Sequence, residues 1–308
     1  MSWLDRQSFL GPNSDEVLAA ATVGIVGLGG GGSHVAQQLA HVGVGSFVLI
    51  DPDSIEDTNL NRLVGGTWDD VEKATDKSVI AERVIKTVRP SAQVKAFKAD
   101  WQTVSDELKL CDIILGGVDS VRAKAELEAF CRRFLIPYID QGMDVHGRAG
   151  RHLIAGQVVL STPGHLCLRC YGIVTDGALE EEGRNYGAAG GKPQVVWPNG
   201  VLASTAVGFV MQLLTPWYET PIESAYLEYD GNSGAVRPSH RVKLLAGNEC
   251  PHYPAEERGD PMFDVRSMVR EAAAIPTPTP TEPVPQGSPT LAPSRPEGIL
   301  ARLKRWLS

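Results

Sequence analysis

The chain has 308 residues, a formal net charge of −8, 43% hydrophobic residues and five cysteines. Its length allows a sizeable core, and an acidic balance with no basic stripe before the C-terminal tail argues against a general nucleic-acid binder. No secretory leader is visible, and the apolar run Val201 to Leu214 is shorter than the ~20 residues of a spanning helix, so no stable membrane insertion is expected. Five cysteines without a leader fit reduced thiols or metal ligands in a cytoplasmic protein.

In chain order, Ser14 to Ala21 has helical character, and Val23 to Val26 is a short apolar strand. Gly27, Gly29 and Gly32 then fall at G-x-G-x-x-G spacing, with Gly30 between them, before a helix expected over Ser33 to Val42. Glycines in such a turn let the backbone approach a pyrophosphate, and the helix presents free N–H groups and its positive dipole end. A second strand, Ser46 to Ile50, delivers Asp51, whose carboxylate can accept from ribose hydroxyls.

The glycine turn alone does not separate NAD from ATP. Its sequel is Asp51-Pro-Asp53, Asn59-Leu60-Asn61-Arg62, Lys77 on a helix, Asp119 after an apolar run, and Arg122. Cations, amides and acids in that number suit a triphosphate with Mg²⁺, whose chemistry rests on positioning and charge neutralisation. Bland readings stand beside these: Asn59 as a turn residue, Asp53 and Asp119 as helix caps, Arg122 as a surface arginine.

The runs GLGGGGSHVAQQLAHVGVG and LIDPDSIEDTNLNR resemble the adenylation domain of the ThiF/MoeB/HesA family, the fold shared with ubiquitin-activating enzymes, from about Arg6 to Pro251. The resemblance implies a nucleotidyltransferase that adenylates the C-terminal glycine of a ubiquitin-like or sulfur-carrier protein, and a homodimer. It implies Arg6 as an arginine finger reaching the partner's ATP, where spacing alone reads a solvated arginine. It also implies Asp51 on the ribose, Asn59, Arg62 and Lys77 near the phosphates, and Asp119 on Mg²⁺. Leu63 stands where many relatives carry glutamine, and the irregular spacing from Arg62 leaves Lys73 as a competitor for the lysine role.

Further on, Lys77 to Val88 reads as a helix, Val94 to Phe97 as a strand, Trp101 to Leu108 as a short helix and Cys111 to Leu115 as a strand. Ala123 to Phe134 is a helix and Pro137 to Asp140 a strand, followed by a glycine-punctuated region ending in the strand Gln157 to Leu160. Asn199 to Leu214 is a buried helix. Tyr226 to Tyr229 and Val236 to Leu245 form a hairpin. The expected fold is α/β, a doubly wound, mostly parallel, Rossmann-like sheet with an antiparallel C-terminal extension. Cys111 and Cys131 read as core.

Cys167-Leu-Arg-Cys170 has zinc-ligand spacing, and the resemblance places a second C-x-x-C where this chain has Cys250-Pro251-His252-Tyr253. Three cysteines with His252 or His165 suit tetrahedral zinc; a redox-sensitive pair or plain burial are the other readings. The loop Tyr171 to Pro198 lacks the cysteine that thioester-forming relatives often keep there, which weakens a thioester on this chain, although Cys167 or Cys170 could serve without zinc; a downstream conjugating or sulfur-transfer protein is a possible partner.

The expected organisation is an N-terminal helical segment over 1–21, an adenylation domain over 22–260, a Pro/Thr-rich linker over 261–296 and a basic amphipathic tail over 297–308. The tail reads as a docking helix, a membrane-surface contact or a frayed end. Rival functions are adenylation of a small-molecule or RNA-linked carboxylate, an NAD-dependent oxidoreductase, and a non-catalytic scaffold.

Overall fold

A computed structural model describes residues 3–148, 151–184, 193–218, 220, 222–254 and 258–259. The linker and tail expected over 261–296 and 297–308 lie outside the described residues.

After a 3-10 turn at Asp5–Leu10 come α1 (Ser14–Ala20), β1 (Thr22–Val26), α2 (Gly30–His41) and β2 (Ser46–Ile50). Apolar alternation on β1 and β2 feeds two cores: Val23, Ile25, Phe47 and Leu49 face one side of the sheet, Val26, Val48 and Ile50 the other. Fully burying each such side chain contributes roughly 1.5–3 kcal/mol. The sequence places the start of α2 at Ser33; the helix begins three residues earlier, with glycines in its first turn. Low helix propensity at Gly30–Gly32 hides that turn from a propensity reading.

The chain continues through α3 (Trp68–Glu72), α4 (Lys77–Val88), β3 (Gln93–Phe97), α5 (Ser105–Leu108), β4 (Ile113–Gly116) and α6 (Val121–Arg133). Then follow β5 (Tyr138–Arg148), β6 (Arg151–Ser161), α7 (Asp176–Arg184), α8 (Val196–Leu214), β7 (Ala225–Asp230), β8 (Ala235–Pro238) and α9 (His240–Leu244). Sheet order is β3-β2-β1-β4-β5-β6-β7-β8. Pairings from β3 to β5 are parallel, and those from β5 to β8 antiparallel. The doubly wound sheet with its antiparallel extension is therefore present. Strand order reverses at β1, between β2 and β4, and such sheets bind ligands at that switch point, beyond the carboxyl ends of the strands.

Several extents differ from the sequence reading; β6 starts at Arg151 rather than Gln157, and α8 at Val196 rather than Asn199. β5 does not stop at Asp140 but runs through Gly142 and Gly147 to Arg148, paired with β6 from Tyr138↔Ser161 to Arg148↔Arg151. Glycines on both strands make room: a Cβ on Gly142 of β5 would meet Gln157 Nε2 at 2.8 Å, and one on Gly156 of β6 would meet Leu202 Cδ1 at 2.6 Å. The strand read over Val236 to Leu245 ends at Pro238, which has no N–H for the ladder. There Ser239 Oγ accepts from Arg241 N at 3.3 Å and α9 begins.

Candidate active site and metal centre

Four consecutive glycines at the switch point have four different surroundings. Gly29 caps α2 and has nothing within 4 Å of where a Cβ would lie, so the helix N-terminus is open there. A Cβ on Gly30 would clash with the Asn199 carboxamide, and one on Gly31 would lie 2.8 Å from Gln141 Nε2. A Cβ on Gly32 would collide with the carbonyl oxygen of Gly27. Gly27 itself has φ +87, and a Cβ on it would lie 2.7 Å from the Gly117 carbonyl oxygen, a conformation and spacing that admit glycine alone.

Asp51 stitches the end of β2 to this turn. It is 4% exposed; Oδ2 accepts from Leu28 N at 2.6 Å and Oδ1 from Asp53 N at 2.9 Å. Burial raises its pKa, against the opposing pull of Lys77 and the two amides. Lys77 Nζ lies 2.7 Å from Asp53 Oδ2 and 3.9 Å from Asp51 Oδ1. Lys73 points elsewhere: it pairs with Asp69 at 2.7 Å in an exposed i,i+4 bridge. Of the two lysines, only Lys77 joins the acidic pair.

The irregular stretch between Arg62 and Lys77 is filled by α3. Asp70 caps it through Thr67 and accepts from Arg83 of α4 at 2.6 and 2.8 Å, tying the loop to the helix that carries Lys77. Leu63 is buried with Ile55 and Ile80, which accounts for an apolar residue beside Arg62. Asn59 is buried and its Oδ1 accepts from Glu56 N at 3.2 Å, closing the turn Asp57–Asn59. Arg62 Nη1 donates to Thr58 O at 2.6 Å and to Asn61 Oδ1 at 3.0 Å. Asn61 Nδ2 reaches Gln194 O at 2.9 Å, and Gln194 Nε2 reaches Asp119 Oδ1 at 3.2 Å. Arg122 donates its backbone N–H to Glu182 Oε2 at 2.9 Å. Arg6 is exposed in the N-terminal turn, where no contact among the described residues joins it to the Asp51–Lys77 group.

Sequence reasoning missed a buried polar cluster beside the end of β4, in the first residues of β5. Lys124 Nζ donates to Asp140 Oδ1 at 2.6 Å and to Gln141 O at 3.2 Å, and Tyr138 OH also reaches Asp140. Asp140 Oδ2 and both amide atoms of Gln141 have no partner. The available signal was position: Asp140-Gln141-Gly142 follows a short apolar run, and Asp140 pairs with Gly116, the last residue of β4, which borders the crevice.

Cys167, Cys170, Cys250 and His252 come together with all four ligand atoms within 4.8 Å of one another. Cys167 and Cys170 Sγ are 3.6 Å apart, as are those of Cys170 and Cys250; His252 Nδ1 is 3.4 Å from both Cys167 and Cys170. Tetrahedral zinc, with Zn–S ~2.3 Å and Zn–N ~2.0 Å, separates its ligand atoms by about 3.5–3.8 Å, so the donor set fits zinc in type and spacing. A hydrogen bond with Cys167 holds the Cys250 thiol below its ordinary value, and the same contact pushes Cys167 up. His165 is not in the group; it faces Glu223 at 3.7 Å. Tyr253 lies under the Arg132 guanidinium, 4.8 Å from Cζ to ring centre. Arg132 in turn donates to Ser161 Oγ and to the carbonyls of His165 and Leu166. The residue at the expected fourth cysteine thus packs against α6, and its neighbour His252 turns to the thiols. Cys111 and Cys131 are buried in the core.

The ThiF family model matches residues 4–252. The chain belongs to the ThiF family. It is 35% identical to the tRNA threonylcarbamoyladenosine dehydratase of Escherichia coli (strain K12) over 43% of this chain and 50% of that protein. With the sulfur carrier protein ThiS adenylyltransferase of the same organism it shares 28% identity over 78% of this chain and 88% of that one. The chain therefore spans half the length of the first relative and most of the second. Escherichia coli MccB, solved with ATP, superposes with a TM-score of 0.62 at 21% identity, covering 78% of this chain and 71% of that one, a likeness of fold. Among the described residues, no helix is long and apolar enough to cross a membrane.

Proposed function

We infer that the chain uses ATP to adenylate a carboxylate, releasing pyrophosphate, and that its substrate is the C-terminal glycine of a ubiquitin-like or sulfur-carrier protein. One observation carries this reading. At the switch point an open helix N-terminus at Gly29 meets the Asp51–Asp53–Lys77 group and the Arg62–Asn61–Gln194–Asp119 chain. Anion-binding amides, cations and an exposed carboxylate on one crevice suit a nucleoside triphosphate. A nicotinamide cofactor would leave Lys77 and Asp119 without a task, and a scaffold would need none of them. The adenylyltransferase named among the relatives, matched over most of both chains, supports the same reaction class.

In this reading Asp51 orients the ribose, and the α2 N-terminus, Asn59, Arg62 and Lys77 hold the phosphates. Asp119 would hold Mg²⁺, a hard cation that favours carboxylate oxygen and would supply charge neutralisation at the phosphates. A substrate carboxylate is already ionised near neutral pH, so no general base is required. Its oxygen attacks the α-phosphorus as the bond to pyrophosphate breaks, and pyrophosphate leaves with the electron pair. Arg6, exposed and apart from the site in one chain, acts across a homodimer, and Arg122 adds a further cation at the phosphates. Cys167, Cys170, Cys250 and His252 hold zinc as a closed structural site. With no cysteine between Tyr171 and Pro198, the adenylate passes to a separate sulfur-transfer or conjugating protein.

A second reading, an RNA-linked carboxylate, is favoured by the name of the 35%-identical relative, which aligns over 43% of this chain. The net charge of −8 opposes it.

The test is ATP labelled in the α or the γ position, incubated with the protein and small carrier proteins ending in Gly-Gly. Label on the carrier from α-labelled ATP alone is the expected result. Label from γ-labelled ATP alone would mark a kinase, and label on neither carrier nor added tRNA would overturn carboxylate adenylation.

A further inference from the structure

Gln141 is the residue whose chemistry nothing above absorbs. Its side chain lies on the face of β5 opposite to Asp140, because successive strand residues alternate, and is buried to 4% exposure. Both ends of its carboxamide, Oε1 and Nε2, are without a hydrogen-bond partner. Burying an unpaired amide costs free energy, so a position that keeps one needs a reason.

Its surroundings supply that reason. The amide sits between α2 and the end of β4: Nε2 is 2.8 Å from a Cβ built on Gly31 and 3.7 Å from one built on Gly117. Two residues with no side chain therefore wall it, and α2 presents its free N-terminal N–H groups beside it. Two positions back along α2, Gly29 opens onto empty space. The backbone below is fixed, since buried Lys124 donates to the Gln141 carbonyl and to Asp140. Asn199, the carboxamide on the neighbouring glycine Gly30, has its N–H₂ committed to Val195 O at 2.9 Å. Gln141 has no such commitment.

We propose that Gln141 receives the terminal peptide unit of the substrate, its Nε2 donating to the reacting carboxylate and its Oε1 accepting the N–H of the C-terminal residue. This deepens the adenylation reading and rests on it. A phosphate presents acceptors only and would leave Oε1 unpaired, whereas a peptide terminus presents an acceptor and a donor together, matching both free atoms. Gln141 is thus a positioning residue that brings the carboxylate to the α2 N-terminus.

The test measures pyrophosphate exchange against concentration of a ubiquitin-fold carrier ending in Gly-Gly, and ATP binding alone by calorimetry, for wild type, Gln141→Leu and Gln141→Glu. The expected result is a rise in carrier KM of about 10-fold or more in Gln141→Leu, larger in Gln141→Glu, with ATP affinity unchanged. The thermal midpoint of Gln141→Leu should be equal to or above wild type, because no bond is lost; Gln141→Met repeats the measurement if the leucine variant misfolds. Unchanged carrier KM, or a loss of ATP affinity equal to the loss of exchange, overturns the role of Gln141 while leaving adenylation standing. Absence of exchange in the wild type with every Gly-Gly carrier overturns adenylation of such carriers, and this role with it.

Discussion

Gln194 donates its side-chain amide to both carboxylate oxygens of Asp119, at 3.2 and 3.4 Å, while its own carbonyl accepts from Asn61. The segment leading into α8 is thereby fastened to both sides of the crevice. An N–H aimed at a carboxylate cannot stay when a cation takes the same oxygens. Gln194→Ala should therefore bind Mg·ATP more tightly than wild type, by about 2- to 10-fold, the range of one modest hydrogen bond. Calorimetric titration with Mg·ATP checks this; equal or weaker binding would remove Gln194 from competition with the metal.

Lys77 and Lys73 are separated by geometry. Lys77 closes on Asp53 and Asp51, and Lys73 stays in an exposed pair with Asp69. Lys77→Ala should lower the adenylation rate by roughly 100-fold or more, the scale of losing one charge-stabilising group, and Lys73→Ala should leave it within about 2-fold. Steady-state rates of the two variants decide the assignment.

The thiol knuckle carries a stability prediction. Purified protein should contain one zinc per chain by elemental analysis, and a strong chelator should lower its thermal midpoint. Tyr253→Cys, which restores the spacing of a second C-x-x-C, should not improve metal retention. His252 already completes the donor set, and removing the ring under Arg132 should cost about 3 kcal/mol. Denaturant unfolding of this variant with metal bound measures that loss.

Asp70 gives a pH signature. Hydrogen bonds from Arg83, then from Thr67, hold its carboxyl well below the usual carboxylate range. A folded pKa below the unfolded one means that the unfolded chain binds the proton first. Its stabilisation is therefore complete above the unfolded value near 3.8 and is lost as pH falls below it. Asp70→Asn should be less stable than wild type by about 2 kcal/mol near pH 7. That gap should narrow progressively below about pH 4, as read by denaturant unfolding across pH.

The doubly wound sheet was legible because β1, β2 and α4 carry strong periodic apolar patterns between turn residues, and Lys77–Val88 and Ser46–Ile50 begin and end where the sequence places them. β5 was cut short because Gly142 and Gly147 read as punctuation; Gly142 makes room for its cross-strand neighbour Gln157, which only the register reveals. Pro238 and Ser239 were in plain view, and a continuous apolar run outweighed them. At the site, the acids and cations around Asp51 and Lys77 were singled out by the glycine turn and by the family resemblance. Lys124, Asp140, Gln141 and Gln194 were not, since each matters through a partner distant in sequence. The thiol group was legible in its cysteines; the choice of His252 over His165 depended on how Tyr253 packs beneath Arg132.

The most direct measurement is ATP–pyrophosphate exchange with candidate carriers ending in Gly-Gly, comparing wild type with Asp119→Ala. Exchange that needs the carrier and falls by at least about 100-fold in Asp119→Ala is the result expected of a carboxylate adenylyltransferase. ATP binding with no exchange for any carrier, or exchange indifferent to Asp119, would contradict it.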